Sequence, residues 1–173
     1  MTTQSRVVIA FIFGTCLALA LSQAQTSSPP STVQKEALMT KEANGPFDVK
    51  INPLTAYNQD DQSLGRFSLD KQFHGELEGT SKGEMLSAGT GAKGSSGGYV
   101  AIEKVTGTLN GRSGTFVLQH NTTMTRGTPQ MNIIVVPDSG TGELKGLAGT
   151  MKIIIAADGK HSYELDYTLP DSR

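Results

Sequence analysis

The chain has 173 residues, 15 Lys and Arg against 16 Asp and Glu, one cysteine and no tryptophan. This is enough for one ordinary domain, while the absence of a basic excess argues against nucleic acid as a partner and a single cysteine excludes an internal disulfide framework. Nineteen of the twenty glycines lie between Gly45 and Arg173 without a Gly-X-Y period, which fits many tight turns between short strands.

At the N-terminus one cation, Arg6, precedes the apolar run Val7 to Leu21 (VVIAFIFGTCLALAL), followed by Ser22-Gln23-Ala24. Fifteen residues are too few for a spanning helix of roughly 20, and the small-x-small pattern marks a cleavage site. Residues 1–24 therefore read as a signal peptide removed after Ala24, leaving no stable membrane anchor and an exported protein, periplasmic or secreted. Cys16 lacks the residues that precede a lipidated cysteine and leaves with the signal. Residues 25–44, rich in Ser, Thr and Pro, read as a flexible linker, and the folded domain is expected over residues 45–173.

From Phe47 onward the pattern has a period of two. Phe47, Val49 and Ile51 alternate with Asp48, Lys50 and Asn52, which predicts a half-buried strand. Further strands are predicted over 66–74, 76–87, 99–109, 115–124, 130–136 and 151–157. The last is the alternation of His161, Tyr163, Leu165, Tyr167 and Leu169. No window carries a helical stripe. About eight antiparallel strands predict an all-β domain that closes into a single barrel and so removes its edges, with a two-sheet sandwich as the alternative. Ile134, Val136 and Ile154 lie in stretches apolar on both parities and would form an outer patch, covered by linker or loop or by a second copy in a homo-oligomer.

A short repeat recurs along the chain. Gly107-Thr-Leu-Asn-Gly111 and Gly142-Glu-Leu-Lys-Gly146 share their opening with Gly75-Glu-Leu-Glu-Gly79, and each reads as a glycine-bounded turn feeding a strand. With Phe73 to Gly83, Tyr99 to Glu103, Gly111 to His120 and Val135 to Gly149, these blocks resemble the bacterial family catalogued as domain of unknown function 3224. The resemblance runs from Phe47 to Pro170. It implies an allene-oxide-cyclase-like barrel and brings no activity with it; any cyclase chemistry would be fold-level analogy alone.

The sharpest constellation lies on the hairpin around Asn110-Gly111. With Lys104 facing water, Tyr99, Ala101, Glu103 and Val105 point inward; on the next strand Phe116 and Leu118 carry His120 inward with them. A two-residue turn sets Glu103 opposite Leu118 with His120 diagonal, whereas a four-residue loop sets Glu103 opposite His120. Glu103 and His120 are the candidate catalytic pair, burial being expected to raise the carboxyl pKa. Tyr99, Glu103, Phe116, Leu118, His120 and Tyr163 are the candidate lining of a lumen that would bind a small apolar or amphipathic molecule. The alternatives are an isomerase or cyclase-like enzyme using the Glu-His pair, and a structural envelope protein with a filled lumen. Three histidines without HxH or HxxxH spacing suggest no metal site. Gly89 to Gly94 satisfies GxGxxG, but a strand follows where a dinucleotide site needs a helix, so no cofactor is expected.

Overall fold

The computed structural model describes residues 39–92 and 94–171. The expected signal peptide and residues 25–38 of the expected linker lie outside them. Eight strands run in chain order: β1 Lys41–Leu54, β2 Leu64–Phe73, β3 Leu77–Gly89, β4 Gly97–Leu109, β5 Arg112–Thr125, β6 Thr128–Val135, β7 Ala148–Ile155 and β8 His161–Thr168. Each pairs antiparallel with the next, and β8 returns to β1, closing the barrel. β1 begins at Lys41, inside the stretch expected as linker, because Lys41 to Pro46 pair with β8. Every other predicted strand is present, most of them longer than the sequence pattern suggests.

Turn chemistry explains the hairpins. Asn110 and Gly111 have φ of 46° and 83°, the positive pair that a two-residue turn between right-twisted strands requires. Leu109 therefore faces Arg112 and Glu103 faces Leu118, the shorter of the two registers considered. Arg126 and Gly127, with φ of 49° and 82°, make the same turn between β5 and β6. The Gly75 copy of the repeat leads into β3, and the Gly142 copy forms a 3-10 turn over Gly142–Leu144 ahead of β7.

The two ends of the barrel differ. At the closed end Leu77, Leu109, Phe116, Leu165 and Tyr167 fill the interior, and the long β6–β7 connection tucks Leu144 and Leu147 beneath them. Phe73 meets Tyr163 edge-on, with ring centroids 5.6 Å apart. At the opposite end the loops β1–β2, β3–β4, β5–β6 and β7–β8 surround a mouth. Here inward-facing residues such as Ile51, Met124, Met131 and Ile155 retain exposed surface. The β6–β7 ladder is short, with only Ile133 paired to Met151 and Ile134 to Thr150. Outside the barrel, Ile154 is exposed while Ile134 and Val136 are half-buried, and Leu86, Val100 and Ile102 are exposed on β3 and β4.

Candidate functional site

Glu103 on β4 is fully buried, and three side chains converge on its carboxylate. Oε1 accepts from Lys71 Nζ at 2.6 Å and lies 2.8 Å from His120 Nε2; Oε2 accepts from Ser81 Oγ at 2.6 Å. The expected Glu103 and His120 pair is thus in contact across the diagonal of the β4–β5 hairpin, but it is half of a larger cluster. Lys71 and Ser81, on β2 and β3, were not anticipated. Lys71 sits between Leu69 and Phe73 on the inward parity of β2, the signal that could have found it; a lysine ordinarily reads as solvent-facing. Its ammonium lies 5.2 Å from the Phe47 ring centroid and 5.8 Å from that of Phe73, so aromatic faces supplement the carboxylate in replacing water.

β3 makes this reach feasible. Lys71 is two strands away from Glu103, and the intervening inward residues, Ser81 beside Lys71 and Gly83 beside Glu103, are small enough for the lysine stem to pass over. A Cβ at Gly83 would stand 2.6 Å from Glu103 Cβ and closer still to the Ile102 carbonyl. Glycine is required here for close approach.

The cluster also decides the charge state. Burial opposes ionisation of Glu103, but the His120 hydrogen bond and the neighbouring Lys71 charge outweigh it and hold the pKa at about 2. The expectation of a raised carboxyl pKa is therefore corrected: burial acts as foreseen, and the cationic partner and hydrogen bonds overcome it. An ionised carboxylate only accepts, so His120 Nε2 carries the proton in this contact. With three donors around it and a pKa far below neutrality, Glu103 has no proton to give and little basicity to offer. The arrangement is a charge-compensated crosspiece joining β2, β3, β4 and β5.

Above this crosspiece, at the mouth, lies a cavity of about 440 Å³. Leu64, Phe67, Ala88, Tyr99 and Met124 give it apolar surface, and Thr122 and the β3–β4 loop complete the wall. The loop is braced against the β5–β6 turn, where Gly127 donates its N–H to the Ser95 carbonyl and Arg126 to Ser96 Oγ, both at 3.0 Å. Tyr99 links the layers, its ring centroid standing 6.3 Å from that of His120.

Of the expected lining residues, Tyr99 borders this cavity. Glu103 and His120 lie in the crosspiece, while Phe116 and Leu118 are in the packed core. Tyr163 is also buried, and its hydroxyl is engaged at the closed end, accepting from the Leu77 N–H at 2.8 Å and reaching the His74 carbonyl at 3.1 Å. Burial pushes this phenol's pKa up, keeping the donor protonated. His161 packs on Phe47 with ring centroids 5.3 Å apart. Arg112 braces the closed end by donating to the carbonyls of Pro170 and Glu143.

The family described as "Protein of unknown function (DUF3224)" matches residues 43–167. A crystal structure of a protein with unknown function from the DUF3224 family of Shewanella oneidensis MR-1 is similar at 51% identity, covering 78% of this chain and 100% of that one with a TM-score of 0.71. Among curated proteins none matches.

Proposed function

The chain belongs to the DUF3224 family of proteins of unknown function, and from that premise we propose that it is an exported binding protein whose barrel mouth holds a small apolar or amphipathic molecule. The observation that carries this reading is the cavity of about 440 Å³, within the range of small-molecule sites, set over a barrel that is otherwise packed. A protein serving only as an envelope scaffold would have no use for an unfilled apolar mouth. An enzyme using Glu103 as its general acid would need a proton that this carboxylate does not hold at neutral pH. Export is supported by the apolar run Val7 to Leu21 and the small residues Ser22 and Ala24.

Titration with the neutral fluorophore phenylnaphthylamine tests the binding role. Ser87 points inward at the mouth, opposite Tyr99, so Ser87→Phe should fill the cavity. Saturable, equimolar binding by the wild type, lost in Ser87→Phe with the melting temperature held within a few degrees, is the expected result. No saturable binding, or unchanged binding by the variant, would overturn the proposal.

A further inference from the structure

We infer that the mouth cavity is built for an uncharged molecule carrying a hydroxyl or carbonyl oxygen on an apolar body, and that this oxygen meets Thr122; the inference rests on the binding role proposed above. Thr122 lines the cavity from β5, directly opposite Tyr99 in the ladder. It is only 4% exposed, and its Oγ1 is buried with no hydrogen-bond partner among the described residues. A hydroxyl that has lost water and gained nothing is destabilising. Immediately below, Lys71 Nζ, Ser81 Oγ, His120 Nε2 and both Glu103 oxygens are paired, so the orphan at the cavity wall marks the place where a partner from outside the chain belongs. A change of Thr122 between staggered χ1 wells is the movement that brings Oγ1 to the cavity, and it leaves the strand in place. A hydroxyl both donates and accepts, which suits either an alcohol or a carbonyl oxygen.

Charge narrows the class. No charged side chain lines the cavity among the described residues. The nearest ions beneath it, Lys71 and Glu103, are spent on each other. A carboxylate or ammonium headgroup seated at Thr122 would be desolvated without a counter-ion, at far greater cost than a neutral oxygen. The aromatic and aliphatic walls, Phe67, Leu64, Tyr99 and Met124, take the apolar body.

Displacement of phenylnaphthylamine by octanol, octane and octanoate tests the inference. Octanol should displace the probe at about tenfold lower concentration than octane, the ratio one buried hydrogen bond supplies, and octanoate should be weaker than octanol. Thr122→Val keeps the side-chain shape and removes the hydroxyl; it should bring octanol level with octane without lowering the melting temperature. Equal displacement by octane and octanol, strongest displacement by octanoate, or an octanol preference surviving in Thr122→Val would overturn the inference and leave the binding role standing. Absence of saturable probe binding to the wild type would remove both.

Discussion

Individual side chains show how buried charge is reconciled with a packed interior. Removing Glu103 would leave Lys71 as an unpaired ammonium among Phe47 and Phe73, so Glu103→Gln is expected to destabilise the barrel by about 3–5 kcal/mol. Adding Lys71→Met should recover much of the loss, a comparison read directly from denaturant midpoints. The pH dependence follows from the depressed pKa. Because the folded-state value of about 2 lies below the ordinary 4.5, the ionised carboxylate stabilises the fold fully above the ordinary value. Roughly 3 kcal/mol is lost as the pH falls through the folded value. Urea titrations of the wild type between pH 6 and 2 should therefore lose stability more steeply than those of Glu103→Gln. Glu103 and His120 could be placed inward from alternation alone, since a two-residue turn ties their strands in register. Lys71 follows the same parity, but nothing local in β2 says that its ammonium has a carboxylate to meet.

Secondary-structure elements depend on glycine in two separate ways, which two substitutions distinguish. At Gly111 the positive φ is the constraint, and a Cβ there meets nothing within 4 Å; Gly111→Ala should cost about 1 kcal/mol and leave the register intact. At Gly83 the φ is ordinary and space is the constraint. Gly83→Ala drives a Cβ into the Ile102 carbonyl and the Glu103 side chain, forcing β3 and β4 apart and disturbing the Lys71 to Glu103 contact. A larger loss, about 2–4 kcal/mol, is expected for Gly83→Ala, together with the shallower acid profile of Glu103→Gln. Equal costs at the two positions would contradict this division. The turn was visible in sequence as Asn-Gly between alternating runs. The crowding at Gly83 was not, because it arises from the neighbouring strand.

Closure governs the whole molecule. Every strand has a neighbour on both sides, yet the β6–β7 ladder carries only two paired positions, leaving Lys152 to Ile155 without β6 partners toward the mouth. Amide hydrogen exchange is expected to be slow through β2 to β5 and fastest along this seam, as local opening starts where pairing is least. Uniform protection around the barrel would refute that. The seam borders the mouth, whereas Leu144 and Leu147 hold the other end shut.

The succession of strands and the face each side chain takes were determined by sequence, because a two-residue period is a local property of the chain, and the Asn-Gly dipeptide narrowed the β4–β5 hairpin to two registers, between which the structure chose the shorter. Two features were decided only by tertiary structure. One is which end of the barrel is packed and which is hollow, since the plug of Leu144 and Leu147 comes from a connection with no periodicity to betray its position. The other is the meeting of Lys71 with Glu103 across β3, because barrel curvature and the small inward residues Ser81 and Gly83 join groups on strands that are not neighbours.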